Sequence, residues 1–206
     1  MYLIGAGGHA KVVIDILRAN NIEIEGIYDS NPNCEDLLNI PFLGSEEGKS
    51  FDAKPVIISI GNNQTRKKVA SGINDANYVK AIHPSSIISD NVMIGEGTVI
   101  MHGAIIQNSG MIGKHVIINT GASVDHDCII DDFAHISPGV VLCGNVHIGE
   151  GSHIGAGAVC IPGIKVGKWC TVGAGAVVTK NIPDYTVAVG TPARVIKHKD
   201  EVIFNI

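Results

Sequence analysis

The sequence predicts a small α/β lobe followed by a parallel β-helix. Apolar residues recur at every sixth position from Ile88 to Val178. A period of six fits neither the 3.6-residue turn of an α-helix nor the alternation of a hairpin protein, and it is typical of hexapeptide β-helices. Ahead of this repeat, a glycine-rich turn follows a short apolar segment and precedes a helical pattern, which is typical of a doubly wound α/β fold.

The composition limits the possible functions. The chain has 206 residues, of which 45% are hydrophobic, so it is able to bury a sizeable core. The formal net charge of −5 argues against nucleic acid as a partner, because phosphate backbones are bound by surfaces rich in Lys and Arg. Small molecules are the expected partners.

The cysteines and the N-terminus indicate a reducing compartment. The five cysteines are Cys34, Cys128, Cys143, Cys160 and Cys170. Their number is odd and they contain no C-x-x-C spacing, so we expect reduced thiols and neither a disulfide framework nor a structural zinc site. The apolar start is too short for a signal peptide, and no apolar run reaches the roughly 18 residues of a membrane span. We therefore expect a cytoplasmic protein with no membrane partner.

The segment before the repeat has the pattern of a small α/β lobe. Short apolar runs predict strands at 2–4, 22–28 and 55–60, and amphipathic or basic segments predict helices at 11–20 and 65–71. This order makes about half of a doubly wound fold. Residues 1–82 are therefore predicted to form one domain, and residues 83–206 a β-helix domain with a C-terminal cap.

The first turn of the lobe matches most of a nucleotide-binding fingerprint. Gly5, Gly7 and Ala10 have the G-x-G-x-x-A spacing, and Asp29 follows about 20 residues later. Such glycines let a helix N-terminus approach a pyrophosphate, while the acid binds a ribose hydroxyl. A tight turn needed for strand-to-helix packing would give the same pattern. A lobe of this size has little room for a nicotinamide, so a nucleotide-activated sugar fits better than NAD.

The histidines of the repeat differ in their surroundings. We expect His102, His115 and His147 to be solvated corner residues. His126 instead lies between two acids, at a hexad where the usual glycine slot holds Asp125. Departures from a local rule tend to mark functional sites, so His126 is the leading candidate for a general base.

The length of one coil predicts which residue lies next to His126 in the neighbouring coil. With coils of about 18 residues, as in the hexapeptide-repeat acyltransferases that this stretch resembles, residues 88–180 form about five coils. His126 then lies one coil from Gly144, whose backbone N–H is the kind of donor that acyl transfer requires beside a base. His135 and His153 are also one coil apart and either line the same groove or face solvent.

A metal site is the alternative use of these side chains. His126, Asp127, His135 and His153 are ligand types for zinc, and trimeric β-helices that bind zinc between subunits exist among the carbonic anhydrases. That family lacks a glycine-rich nucleotide lobe, and acyl transfer from a thioester requires no metal. We therefore predict no metal site.

Six segments carry a resemblance that extends over nearly the whole chain. They are LIGAGGHAK, ISIGNNQTRKK, IHPSSIIS, NTGASVDHDC, HISPGVVLCGNV and VGAGAVVTKNIP with VGTPARVI. Together they resemble the sugar O-acyltransferase family, which contains sialic-acid O-acetyltransferases and nucleotide-amino-sugar N-acetyltransferases of the UDP-N-acetylbacillosamine type. The resemblance implies a Rossmann-like lobe, a left-handed β-helix and a homotrimer with active sites between neighbouring prisms.

The resemblance also implies roles for individual residues. His126 would be the general base and Asp127 would orient it, in preference to Asp125, because the family's acid usually follows the histidine. The acetyl-CoA contacts would be His135, Gly144, Ala156 and Ala174. The acceptor nucleotide would be held by Gly7, Gly8, His9, Asp29, Ser30 and Gly61. The family tends to have glycine at position 174, and Ser30 replaces a second acid of some relatives, which leaves the base of the nucleotide open.

The expected function is acetyl-CoA-dependent N-acetylation of a nucleotide-linked 4-amino-6-deoxy sugar by direct transfer. The first alternative is O-acetylation of sialic acid or another sugar, which would use the same histidine. A non-catalytic sugar-nucleotide sensor or a metal-binding trimer is the alternative from another class. The intact Asp-His-Asp stretch and the complete C-terminal signature argue against it.

Overall fold

The computed structural model describes residues 1–30, 35–73 and 75–200. The strands of its N-terminal lobe are β1 (Tyr2–Ile4), β2 (Gly26–Tyr28), β3 (Asp36–Leu37), β4 (Ile40–Pro41), β5 (Pro55–Ile58) and β6 (Asn77–Tyr78), and its helices are α1 (Gly8–Ala19) and α2 (Asn63–Gly72). Four of these strands form a parallel sheet in the order β2-β1-β5-β6, and β3 pairs with β4 as a hairpin. The predicted α/β lobe is thus present, with one additional hairpin.

The lobe elements differ from the predicted ones mainly at their ends. Helix α1 begins at Gly8 because the glycine turn already forms its first turn, in which the Ala10 N–H donates to the Gly7 carbonyl at 3.0 Å. Strand β2 begins later than predicted because the Ile22 N–H still donates to the Leu17 carbonyl at 2.9 Å. Helix α2 begins at Asn63 because the Asn62 side chain caps it.

The rest of the described chain is a three-sided parallel β-helix. Strands of its first side, the lobe face, are Ala81–Ile82, Val99–Ile100, Ile117–Ile118, His135–Ile136, His153–Ile154 and Thr171–Val172. Those of the second face are Ile87–Ile88, Ile105–Ile106, Ser123–Val124, Val141–Leu142, Val159–Cys160 and Val177–Val178. Those of the third face are Met93–Ile94, Met111–Ile112, Ile129–Ile130, His147–Ile148 and Lys165–Val166.

The β-helix is longer than the predicted 88–180. It begins at Ala81, because Ile82 continues the six-residue register one step earlier and pairs with Ile100. At the other end the strand Thr186–Val189 continues the lobe face, and Arg194–His198 folds back on it as an antiparallel strand. This hairpin covers the last coil, as a solenoid end requires.

The hexad pattern decides which side chains are inside the prism. In each two-residue strand the second side chain points inward, and the small residue four positions after it fills the next corner; both sets are fully buried in the central coils. Examples are Ile118, Ala122, Val124, Ile136 and Val140. The first side chain of each strand points outward. The core is therefore one continuous aliphatic column, as the repeat predicted.

The lobe packs on one side of the prism. Outward residues of the lobe face, among them Val99 and Ile117, are buried in one cluster with Leu3, Ile14 and Leu17 of the lobe. The corner between the second and third faces lies opposite this lobe face; we call it the free corner, and it contains residues 107–110, 125–128 and 143–146. None of the helices in the described residues is both long and apolar enough to span a membrane.

Candidate active site

His126 and Asp127 form a hydrogen-bonded pair at the free corner. The imidazole Nδ1 lies 2.8 Å from the Asp127 Oδ2, and the His126 backbone N–H donates to the Asp125 Oδ1 at 2.7 Å. Asp127 holds the left-handed corner position with φ 59°, a conformation that Asp adopts more readily than most residues. The two acids therefore have different tasks, since Asp125 fixes the backbone while Asp127 holds the ring.

This pairing makes the imidazole more basic. The hydrogen bond to Asp127, followed by the charge of Asp125, raises the pKa of His126 above its ordinary value. With Nδ1 bound to a carboxylate, the proton of the neutral ring lies on Nδ1, and Nε2 is the free lone pair. The corner thus presents a histidine that is able to accept a proton.

Gly144 lies directly against this ring, one coil away. A Cβ atom at position 144 would be 2.6 Å from the His126 Cε1 and 2.7 Å from its Nε2, so any larger residue there would have to displace the imidazole. The Gly144 carbonyl accepts from the Gly163 N–H at 3.0 Å, whereas the Gly144 N–H has no hydrogen-bond partner among the described residues. A free backbone donor beside the basic nitrogen is the arrangement that stabilises an oxyanion.

The groove at the free corner is lined by few side chains. Its walls are Asp125, His126, Cys143, Gly144, Asn145, Pro162 and Gly163. Most of these residues are small; Asn145, Pro162 and Gly163 are exposed, whereas Gly144 is buried against the imidazole.

A second concave site lies over the glycine-rich turn of the lobe. Its lining includes Gly7, Gly8, His9, Asp29, Ser30 and Gly61, so it unites all six residues predicted to hold the acceptor. No atom lies within 4 Å of a Cβ built on Gly7 or Gly8, which leaves the N-terminus of α1 open. The Ala6 N–H donates to the Asp29 Oδ2 at 2.7 Å and fixes the turn. We call this site the glycine-turn pocket.

His9 separates the glycine-turn pocket from a neighbouring pocket between the lobe and the β-helix. Burial, followed by the charge of Arg66, lowers the pKa of His9 to about 4. Its Nε2 is shielded from solvent and has no hydrogen-bond partner within the described part of the chain. His9 is therefore a neutral ring with an unused polar atom at the junction of the two pockets.

The pocket between the lobe and the β-helix contains a stacked pair of histidines, His135 and His153. The rings of His135 and His153 are 4.8 Å apart and nearly parallel, and the His135 ring lies 6.3 Å from that of His9. The Asn119 amide contacts the His135 Nε2 at 3.1 Å. Burial, followed by the proximity of His153, lowers the pKa of His135 to about 3. His135 and His153 therefore line the same groove, and His153 is also exposed to solvent.

Within one chain, the structure divides the predicted site residues among four places. His126 and Asp127 lie with Gly144 at the free corner, and the six acceptor residues lie together in the lobe. His135 lies beside the lobe and not beside Gly144. Ala156 and Ala174 are exposed one above the other at the corner between the lobe face and the second face. Over residues 1–30, 35–73 and 75–200, no group of three or more His, Cys, Asp or Glu could hold a metal ion.

Arg66 is a residue that the sequence analysis missed. Its side chain is fully buried between lobe and β-helix, with Nε donating to the His115 carbonyl at 2.8 Å and Nη2 to the Phe133 carbonyl at 2.8 Å. It also donates to the carbonyls of Ile60 and Gly61. Burial lowers the pKa of Arg66 to about 9. No pattern in the sequence distinguishes it from the neighbouring lysines of a basic helix.

The prediction that His115 is a solvated corner residue was wrong. Its side chain is 5% exposed, and its ring stacks on that of Phe133 at 5.1 Å and meets Tyr78 edge-on. Burial, followed by the charge of Arg66, lowers the pKa of His115 to about 4. The corner is covered by the lobe, which a repeat pattern alone does not reveal. His147 was also predicted to be a corner residue, but it lies on the strand His147–Ile148, where it is half-buried and its Nε2 is 3.0 Å from the Asp131 carboxylate.

Comparisons with known sequences match both halves of the chain. Residues 1–73 match the PglD N-terminal domain, and residues 145–180 match the hexapeptide repeat of succinyl-transferase. UDP-N-acetylbacillosamine N-acetyltransferase of Bacillus subtilis is 40% identical over 116 residues, which are 48% of this chain and 50% of that protein. An uncharacterized protein of Acanthamoeba polyphaga mimivirus is 36% identical over 101 residues, 48% of this chain and 21% of that protein. The matched segments thus span half or less of these curated relatives.

Solved structures match nearly the full length. A variant of perosamine N-acetyltransferase from Caulobacter crescentus, in complex with CoA and GDP-perosamine, is 38% identical with a TM-score of 0.87, covering 95% of this chain and 96% of that chain. The acetyltransferase domain of PglB from Neisseria gonorrhoeae is 36% identical with a TM-score of 0.86, covering 95% and 98%. The chain therefore belongs to the family of hexapeptide-repeat acetyltransferases that join a PglD-type N-terminal domain to a left-handed parallel β-helix.

Proposed function

We propose that this protein transfers the acetyl group of acetyl-CoA to the amino group of a nucleotide-linked 4-amino-6-deoxy sugar, with His126 as general base. The observation that carries the proposal is the arrangement at the free corner. There the Asp127 carboxylate holds the imidazole through Nδ1, and the backbone of Gly144 lies against the ring with an unpaired N–H among the described residues. The relative with 38% identity is a perosamine N-acetyltransferase, and the relative with 36% identity is the acetyltransferase domain of PglB.

The proposed reaction needs no covalent enzyme intermediate. The sugar amine attacks the carbonyl carbon of the acetyl thioester while the His126 Nε2 takes a proton from the nitrogen. The Gly144 N–H stabilises the negative charge that develops on the carbonyl oxygen. The C–N bond forms, the C–S bond breaks, and the proton held by the imidazolium neutralises the departing CoA thiolate. Asp127 stabilises the imidazolium while it exists.

The lobe, residues 1–82, is the proposed acceptor-binding domain. Gly7 is the N-cap of helix α1, and Gly8 and His9 begin it; the free N–H groups and the dipole of this helix end attract the diphosphate of a sugar nucleotide. Asp29, Ser30 and Gly61 complete the pocket beside it. The acetyl-CoA contacts proposed for the β-helix domain, residues 83–206, are His135, Gly144, Ala156 and Ala174.

These two sites have to meet across a subunit boundary, so we include a homotrimer in the proposal. The glycine-turn pocket adjoins the lobe face, whereas His126 lies at the corner opposite that face. A neighbouring copy is able to place its free corner against this chain's pocket. The faces that flank the free corner support such packing, because they expose large apolar side chains to solvent: Ile87, Met93, Met111, Ile129 and Val141.

A thiol-release assay tests the proposed function. Acetyl-CoA is incubated with the protein and a panel of UDP-, GDP- and dTDP-linked 4-amino-6-deoxy sugars, with free and CMP-linked sialic acid as oxygen acceptors. We expect thiol release with at least one amino sugar and a product that survives mild alkali, because an amide resists conditions that hydrolyse an ester. Release with sialic acid alone, or an alkali-labile product, would replace the N-acetyltransferase by the O-acetyltransferase.

A further inference from the structure

The glycine-turn pocket contains a carboxylate that the proposed mechanism does not use. Glu46 lines this pocket together with Asp29 and Ser30. Its Oε2 is shielded from solvent and receives no hydrogen bond from any residue that the structure describes. Leaving a buried acceptor unpaired costs free energy, so a group that donates to it in the bound state would be favoured.

The second carboxylate of the pocket is in a different situation. Asp29 accepts the Ala6 N–H at 2.7 Å, and its own N–H donates to the Gly44 carbonyl at 2.9 Å. The first bond anchors the glycine turn, and the second holds the loop that carries Glu46 beside the end of β2. Asp29 therefore shapes the pocket, while Glu46 is positioned in it with spare acceptor capacity.

The position of Glu46 assigns it to the nucleoside end of a bound nucleotide. The diphosphate belongs at the N-terminus of α1, at Gly7 and Gly8, where backbone N–H groups attract anions. A carboxylate would repel phosphate oxygens at close range. Glu46 lies with Asp29 and Ser30 after strand β2, the side of such a fold on which the ribose and the base lie.

We infer that Glu46 recognises the base of the acceptor and selects guanine, so that the acceptor is an amino sugar linked to guanosine diphosphate; this inference rests on the proposed function. An ionised carboxylate only accepts hydrogen bonds and takes two donors side by side. The Watson–Crick edge of guanine offers two adjacent donors, N1–H and the 2-amino group. Both oxygens of Glu46 have to face the base, and rotation about its terminal bond allows this, because such sp² torsions are broad.

The other bases match this carboxylate less well. Uracil and thymine have a single N–H between two carbonyl oxygens, and a carboxylate facing that edge would be repelled by both. Adenine and cytosine each offer one amino group beside a ring nitrogen that is itself an acceptor. Only guanine leaves both oxygens of Glu46 paired, and a site built for two hydrogen bonds discriminates strongly against a base that lacks one.

The test is nucleotide binding by titration calorimetry with the full chain. We expect GDP to bind more tightly than UDP, dTDP or CDP. In Glu46→Gln the amide keeps the shape but replaces one acceptor by a donor, so GDP affinity should fall about 10- to 100-fold. Xanthosine diphosphate has a carbonyl where guanine has the amino group, and in this variant it should bind more tightly than GDP. Glu47→Gln, the same change at the exposed neighbouring residue, should leave both affinities unchanged.

The outcomes separate this inference from the proposed function. Equal affinities of the unaltered protein for UDP and GDP would overturn the inference that Glu46 recognises the base. The same holds if Glu46→Gln lowers the affinity for all nucleotides equally. If thiol release from acetyl-CoA is then fastest with a UDP-linked amino sugar, the acetyltransferase proposal stands without it. If GDP binds selectively to the unaltered protein and Glu46→Gln instead prefers xanthosine diphosphate to GDP, guanine recognition by Glu46 stands even where no acceptor is acetylated.

Discussion

Histidines at two regions of this molecule have their pKa values shifted in opposite directions. At the free corner, hydrogen bonding to Asp127 raises the pKa of His126. At the junction of lobe and β-helix, burial lowers the pKa of His9 and His115 to about 4 and that of His135 to about 3. The charge of Arg66 contributes to this lowering of the pKa at all three junction histidines.

The difference shows that position in the solenoid decides what a histidine does. The junction rings are neutral at physiological pH and pack against their neighbours as aromatic side chains do, with His115 stacked on Phe133. His126 is open to solvent and to ligands, and its neighbouring carboxylates stabilise the charged form. A general base has to gain and lose a proton in each turnover, so of these two environments the free corner is the one that suits the role proposed for His126.

The largest expected effect comes from removing the base. His126→Ala should lower kcat for acetyl transfer by about 10²- to 10⁴-fold, the range for loss of a general base, while CoA and sugar-nucleotide binding persist. The matched control is His147→Ala, because His147 forms a second histidine–carboxylate pair with Asp131 on the third face. Similar losses in both variants would mean that the free corner has no special role.

The second largest expected effect is a loss of stability, and it tests the packing of the lobe on the β-helix through Arg66. Arg66→Met should lower the free energy of unfolding by about 3–5 kcal/mol, because buried carbonyls that the guanidinium satisfies are left without donors. Denaturant unfolding measures it. Arg18→Met is the control, since that exposed side chain donates one hydrogen bond, to the Leu38 carbonyl, and should change stability by about 0.5 kcal/mol or less. Equal stability of the two variants would contradict a structural role for Arg66.

The smallest effect concerns the acid side of the pH–rate profile. The proposed reaction needs neutral His126, so kcat/KM should rise with pH through the imidazole pKa. Because the Asp127 carboxylate raises that pKa, Asp127→Asn should move the rise to lower pH and reduce the plateau about 10-fold, the range for a hydrogen bond to a charged group. Asp125→Asn should move it less, since Asp125 touches the backbone N–H and not the ring. A larger shift for Asp125→Asn would exchange the roles of the two acids.

Local periodicity made much of the fold predictable. The six-residue register predicted an aliphatic column, and the structure confirms it because each inward position is set by the strand and corner that contain it. The fingerprint predicted that Gly5 and Asp29 lie close together, and they do, because Gly5 follows β1 and Asp29 follows β2, which are neighbouring parallel strands. His126 and Gly144 could be placed side by side from the 18-residue coil, and the structure has them in contact.

Other features could not be obtained in this way because they depend on distant segments. Arg66 is buried only because the lobe docks on corners that contain His115 and Phe133. Glu46 reaches the glycine-turn pocket because the Asp29 N–H pairs with Gly44. Neither contact leaves a period or a motif in the sequence.

The sequence by itself determined the prism, the glycine turn and the stacking of His126 on Gly144, because strand period and coil length are local properties of the chain. The tertiary structure decided where the lobe lies, and with it which histidines are buried and neutral and which one stays open and basic. Burial and charge are sums over all neighbours, near or far in sequence. For that reason the separation of the glycine-turn pocket from the free corner became visible only in three dimensions.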